Sequence, residues 1–314
     1  MKRVLLASPR GYCAGVERAV DTVERALRLY GAPVYVRKQI VHNSHVVRAL
    51  EERGAVFVDS VETVPSGATV VFSAHGVAPA VRRAADERRL TTIDATCPLV
   101  TKVHTQARRY AQAGYAIVFI GHAGHEEVEG TMGEAPDVTV LVESVEDAGR
   151  IELPVDRPLA YITQTTLSVD ETREIVDALR ERFPAIEGPK KEDICYATSN
   201  RQWAVKALLA EVDLLLVIGS RNSSNSKRLV EVARTAGVAA HLIDDAGEID
   251  PEWLDGVETV GVTSGASAPE RLVGAVCDWF RERGVEDVSE HRSVYEDVVF
   301  KLPVELRRAE RSAA

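Results

Sequence analysis

Short runs of apolar residues alternate along this chain with longer stretches in which apolar positions recur every three or four residues. The short runs predict strands at residues 4–7, 34–36, 56–58, 69–73, 116–120, 159–163, 214–218 and 259–262, with a further apolar approach at 90–93. After the first strand, Val16, Ala19, Val20, Val23 and Leu27 fall at helical spacing. Helices are likewise predicted over 46–53, 79–88, from Pro98 onward, and over 170–182, 227–236 and 270–280. One last strand is predicted at 294–302, before a polar segment expected to be disordered. This alternation of strand and helix predicts an α/β fold with a mostly parallel sheet and helices on its faces.

Polar residues gather directly after the predicted strands, at His42, His75, His125, Thr165, Ser223 and Ser267. In open parallel α/β sheets, ligands bind beyond the carboxyl ends of the strands. These groups come from all three thirds of the chain. The expected architecture is therefore three similar β/α lobes, with mostly parallel sheets, arranged pseudo-threefold around one central site. The divisions are a first lobe at 1–97 carrying Cys13 and Cys97, a second at 98–194, a third at 195–283, and a C-terminal arm and tail at 284–314.

Composition narrows this picture. The 314 residues are 45% hydrophobic and 27% charged, as in a water-soluble globular protein. Aromatic residues are only 5%, so Val, Leu, Ile and Ala must fill the core, which suits buried parallel strands. The net charge of −10 argues against broad nucleic-acid or anionic-membrane binding, since both need a basic footprint. No apolar run approaches a membrane span, and the apolar run after Lys2 and Arg3 is too short for a secretory signal. The cytoplasm is the expected compartment, where four cysteines point to metal or redox use before disulfides.

The stretch Asp94-Ala95-Thr96-Cys97-Pro98 is the most informative in the chain. Pro98 suits the first position of a helix, because its missing N–H would have no intrahelical partner there. Cys97 then sits at a helix N-terminus, where partial positive charge favours a thiolate. Cys13 lies 84 residues before it and Cys195 lies 98 after it. Cys13 also closes a strand and loop and opens a helix. Three thiolates brought together by the fold would suit an iron–sulfur cluster or zinc. Cys277 shares a helical face with Val273 and Phe280 and reads as a packed core thiol.

The strand-end residues form an uncharged, donor-rich set. His42, His75 and His125, with Ser223, Ser224, Asn225 and Ser267, suit phosphate oxygens. Asn222-Ser223-Ser224-Asn225-Ser226 also reads as a helix start, which is itself an anion site. Glu127 falls in what reads as a glycine-rich loop after residue 120, and its carboxyl group could relay protons in a closed site.

Together these stretches resemble the 4-hydroxy-3-methylbut-2-enyl diphosphate reductase family, which closes the non-mevalonate isoprenoid route. The matching segments include Gly11-Tyr12-Cys13-Ala14-Gly15, Val41-His42-Asn43, Ser73-Ala74-His75-Gly76 and Ala95-Thr96-Cys97-Pro98. They continue through Gly124-His125-Glu126-Glu127, Gln164-Thr165-Thr166, Ile194-Cys195-Tyr196, Ser223-Ser224-Asn225-Ser226 and Gly265-Ala266-Ser267. Tyr12, where phenylalanine is common in the family, is a conservative departure.

The resemblance implies a three-lobed protein with a [4Fe–4S] cluster held by Cys13, Cys97 and Cys195. Its fourth iron would be open to the substrate's hydroxyl. It further implies that His42, His75, His125, Ser223, Asn225 and Ser267 hold the diphosphate, with Ser224 close by. Thr165 and Glu127 would lie near the hydroxymethyl end, Glu127 as the catalytic proton source. The implied reaction consumes two electrons and two protons and yields isopentenyl and dimethylallyl diphosphate. Reduced ferredoxin or flavodoxin, ultimately fed by NADPH, would donate the electrons. The competing functions are a non-enzymatic iron–sulfur or zinc sensor built on the same cysteines, and a phosphate-ligand module without redox chemistry.

Overall fold

A computed structural model describes residues 2–154 and 156–313. Its strands are β1 (Arg3–Ser8), β2 (Val34–Arg37), β3 (Ala55–Val58), β4 (Thr69–Phe72), β5 (Thr91–Asp94), β6 (Ala116–Ile120), β7 (Thr139–Val142), β8 (Leu159–Thr163), β9 (Leu214–Ile218), β10 (Ala239–Ile243), β11 (Thr259–Ser264) and β12 (Asp287–Arg292). Between them lie helices α1 (Ala14–Tyr30), α2 (Ser44–Glu51), α3 (Pro79–Glu87), α4 (Pro98–Gln112), α5 (Glu126–Met132), α6 (Val145–Arg150), α7 (Val169–Arg182), α8 (Tyr196–Leu208), α9 (Ser224–Thr235), α10 (Glu270–Arg281) and α11 (Val304–Ala313). Every paired strand runs parallel to its neighbour, as the alternation predicts.

The chain divides into two compact units. The first comprises Met1–Val16, His42–Val46 and Tyr196–Val299. It holds one sheet in the order β10-β9-β11-β1-β12, so β1 pairs with strands from the far end of the sequence. In β9, Leu214, Leu216 and Ile218 pack with Leu272, Val273, Val276 and Phe280 of α10. The alternate residues Leu215 and Val217 pack with Ala204, Val205 and Leu208 of α8 and Leu229 and Ala233 of α9. Both faces are thus buried, which is why this strand reads as an unbroken apolar run.

The second unit comprises Glu17–Val41, Val47–Cys195 and Phe300–Ala314. It holds two sheets, β3-β2-β4-β5 and β7-β6-β8. β6 divides its side chains as β9 does. Val118 and Ile120 pack with Ile175, Val176 and Leu179 of α7, while Ile117 and Phe119 pack with Val103 and Ala107 of α4. A single parallel bridge between Ala160 and Glu187 extends this sheet beyond β8.

The C-terminal region departs from expectation. Residues 294–302 are not a strand; the last strand is β12, paired with β1. β12 lies at the sheet edge and is polar along its length, so apolar periodicity could not reveal it. Tyr295 and Val299, which suggested the strand, are 78% and 88% exposed. The polar segment after it is not disordered but helical: Leu306 of α11 is fully buried, and Glu310 accepts a hydrogen bond from Arg25 at 2.8 Å. Among the described residues, no helix is long and apolar enough to cross a membrane.

Candidate active site

Three cysteines share one local construction. Each directly precedes a helix: Cys13 before α1, Cys97 before α4 and Cys195 before α8. At Cys97, Pro98 occupies the first helical position, as the sequence predicts. Each cysteine N–H donates to a carbonyl just beyond the next strand of its own sheet. Cys13 bonds Ala266 at 3.2 Å, Cys97 bonds Ala74 at 2.9 Å and Cys195 bonds Thr165 at 3.0 Å. Those loops are tied in turn to a further strand or the loop just after one, by Gly265 N–H to Ile218 in β9, Gln164 N–H to Ile120 in β6 and Ala74 N–H to Ile40, three residues past β2.

A similar pair of main-chain bonds therefore appears beside each of the three sheets. All three cysteines are half-buried and in no disulfide. Near Cys13, the Tyr196 hydroxyl accepts the N–H of Ala14, and burial, then the neighbouring Cys13 charge, pushes the phenol above its ordinary range. Cys277 is buried in α10 among Val273, Val276 and Phe280, and burial raises its thiol. It is a packing residue.

In the first unit, the polar loops after β9 and β11 interlock. Ser223 caps α9, its hydroxyl accepting the Ser226 N–H at 3.3 Å. The Asn225 side-chain oxygen accepts the Ala266 N–H at 2.9 Å, so it braces the same loop that holds Cys13. The Ser267 hydroxyl donates to the His42 carbonyl at 2.8 Å, and the Asn222 amide lies 3.3 Å from His42 Nδ1. Ser223, Ser224, Asn225 and Ser267 are all buried.

Close packing sets this arrangement. A Cβ on Gly265 would fall 2.0 Å from the Ser226 hydroxyl, and one on Gly219 would fall 2.2 Å from it. Two glycines thus let the strand-end backbones press against the start of α9.

The second unit gathers His75, His125, Glu127 and Thr165. Glu127 lies in the first turn of α5, not in a loop. The glycines of this segment suggested a loop, but Gly130 is a helical residue packed against His104. His125 caps the helix, its Nδ1 accepting the Glu127 N–H at 3.1 Å. The rings of His75 and His125 stand perpendicular at 5.7 Å, and His75 Nδ1 lies 3.3 Å from Glu126.

The Glu127 carboxylate is fully buried. It accepts the Thr165 N–H at 2.6 Å and the Thr165 hydroxyl at 3.0 Å. Burial drives its acidity down, raising the pKa above the ordinary glutamate range. The Thr165 bonds and the nearby His75 and His104 offset this only in part. A carboxyl group in this state keeps its proton to higher pH than a surface glutamate, which suits a proton donor.

Sequence reasoning missed the buried polar residues that brace these groups. Arg201 of α8 is fully buried and donates to the carbonyls of Gly11 and Ala197 and to the Glu296 carboxylate. His104 pairs with Glu134. The one signal in the sequence was a histidine set at helical spacing between Val100 and Ala107.

A family model described as LytB protein matches residues 4–281. A 4-hydroxy-3-methylbut-2-enyl diphosphate reductase of Nocardia farcinica is 61% identical over 311 residues, covering 99% of this chain and 93% of the relative. One of Acidothermus cellulolyticus is 62% identical over 308 residues, covering 98% and 91%. Among solved structures, the E-1-hydroxy-2-methyl-but-2-enyl-4-diphosphate reductase of Plasmodium falciparum matches with a TM-score of 0.97 at 39% identity, over 99% of both chains.

Proposed function

This chain belongs to the LytB protein family, and from that membership we propose that it removes the hydroxyl of 4-hydroxy-3-methylbut-2-enyl diphosphate reductively, giving isopentenyl and dimethylallyl diphosphate. The observation that carries the reading is the common setting of Cys13, Cys97 and Cys195. Three half-buried thiols, each at the start of a helix and each tethered by the same main-chain bond, form a donor set that fits an iron–sulfur cluster. We assign them as three ligands of a [4Fe–4S] cluster, one for each sheet. When bound, the cluster supplies electrons one at a time. Reduced ferredoxin or flavodoxin, fed ultimately by NADPH, is the proposed source, in the cytoplasm.

The chain's own residues have two tasks. His42, His75, His125, Ser223, Asn225 and Ser267, with Ser224 beside them, hold the diphosphate through N–H and O–H donors and the start of α9. Ser223, Ser224, Asn225 and Ser267 are buried, and hydrogen bonds tie Asn225 to the Ala266 N–H and Ser267 to the His42 carbonyl, so binding would order few of these side chains. Thr165 holds both Glu127 oxygens in place, and burial raises the pKa of that carboxyl, so it keeps its proton to higher pH. Glu127 then gives its proton to the departing oxygen. The C–O bond breaks, water leaves, and two electrons with a second proton complete the allylic product at either end.

Anaerobic purification tests the proposal. The protein should be brown, with four irons and four sulfides expected per chain if the cluster assignment holds. It should also reduce the allylic diphosphate with an artificial donor. Colourless protein that takes up no iron on anaerobic reconstitution would refute the cluster assignment. Iron-loaded protein without turnover would instead favour a sensor.

A further inference from the structure

α4 carries a histidine within its buried face. Val100, Val103, His104 and Ala107 are its buried residues. His104 Nδ1 lies 2.8 Å from a Glu134 carboxylate oxygen that also accepts from Arg108 at 2.8 Å. The Glu134 side chain is only 4% exposed; burial opposes its ionisation, yet the bonds from His104 and Arg108 hold it below the ordinary glutamate range. A carboxylate there anchors Nδ1 and fixes the orientation of the ring.

The other ring nitrogen, Nε2, is buried and has no hydrogen-bond partner among the described residues. It lies where two backbones come close. A Cβ on Gly76 would fall 2.8 Å from Nε2, and one on Gly130 would fall 3.3 Å from the adjacent Cε1. Gly76 follows His75 directly, and Gly130 stands three residues after Glu127 in α5. The ring therefore wedges between the loop bearing His75 and the helix bearing Glu127.

We propose that His104 is a positioning residue for Glu127, an imidazole anchored by Glu134 that fixes the helix carrying the acid and shapes the electrostatic surroundings of its carboxyl group. The inference rests on the reading of Glu127 as proton donor. Among the described residues, four groups on other elements or at the helix cap face Glu127. His75 comes from the loop after β4, His104 from α4, Thr165 from the end of β8 and the His125 ring from the cap of α5. Glu126, paired with His75, and Glu129 share its own helical turn.

Infrared titration of the holoenzyme, taken as wild type minus Glu127→Gln, isolates the carboxyl band of Glu127 whether or not the enzyme turns over. In His104→Asn and His104→Gln its ionisation should move up by about one pH unit, a tenfold change in its acid constant, because a neighbouring group that favours the carboxylate is gone. The alkaline limb of kcat should move by the same amount, with KM for the diphosphate within about twofold. An unmoved carboxyl band in both variants overturns the proposal, even if turnover falls. A moved band with full turnover in Glu127→Gln would instead spare His104 and remove Glu127 from the chemistry.

Should the His104 variants fail to fold, the coupling is measured from the other side. The ring-nitrogen resonance of His104, identified by its response to Glu134→Gln, should titrate at lower pH in Glu127→Gln than in wild type. Equal midpoints would overturn the proposal.

Discussion

Replacing Arg201 with methionine should cost this protein more stability than any surface substitution, and the structure sets the scale. The Arg201 guanidinium is fully buried and donates to Gly11 at 2.7 Å, to Ala197 at 2.9 Å and to Glu296 at 3.1 Å. Methionine fills similar space but removes every donor. The Glu296 side chain, only 15% exposed, is left as a largely buried anion, with Asn200 still donating to it at 2.9 Å.

Breaking such a pair from one side costs about 3–5 kcal/mol. For a unit of this size that corresponds to a fall of roughly 6–20 °C in melting temperature. Glu296→Gln keeps an acceptor and should lose only about 1–2 kcal/mol. Circular dichroism melts of the metal-free protein read both values. Because Gly11 and Tyr12 lead directly into Cys13, Arg201→Met should also lower the iron recovered per chain on anaerobic reconstitution. A melting temperature within about 2 °C of wild type, with full iron content, would refute the view that Arg201 anchors the Cys13 loop.

Three further outcomes are expected. Glu127→Gln should retain iron and diphosphate binding while turnover falls by about 10²–10⁴, and wild-type kcat should decline as pH rises through the raised Glu127 pKa; near-wild-type turnover in the variant would exclude it as the acid. Cys277→Ser should leave iron and sulfide content unchanged, which metal analysis checks directly, since this thiol packs among the core of α10. Gly265→Ala should raise KM for the diphosphate more than it lowers kcat, because a methyl 2.0 Å from the Ser226 hydroxyl must displace the start of α9. A changed kcat at constant KM would contradict that role.

Some of this fold is legible in residue pattern because burial on both faces leaves a plain mark. Strands 116–120, 159–163 and 214–218 match the structure to the residue, each being an almost wholly apolar run. Elements that lack such a contrast escape notice. β12 is a polar edge strand, and α8 buries Thr198, Ser199, Asn200, Arg201 and Gln202 along with its apolar residues, so no stripe emerges. The turn of α5 was hidden by its glycines.

The same limit applies to the candidate site. Pro98 marked the helix start at Cys97, and capping chemistry marked Ser223. The partners of Arg201 lie 190 and 95 residues away, and Glu134 lies 30 residues beyond His104; no local spacing encodes such pairs. They follow from the fold and become visible only with it.

The main-chain bonds beside Cys13, Cys97 and Cys195 have a consequence for how this protein matures. Each cysteine backbone is held by a main-chain hydrogen bond to a strand-end loop. Such bonds need no inorganic component, so the polypeptide is expected to fold without one, unlike small zinc domains, whose folding waits for the ion. Serine at any one of these positions should yield a folded protein with unchanged secondary structure. The expected order of assembly is chain first, cargo second, so that a delivery system would meet a finished receptacle rather than a nascent one.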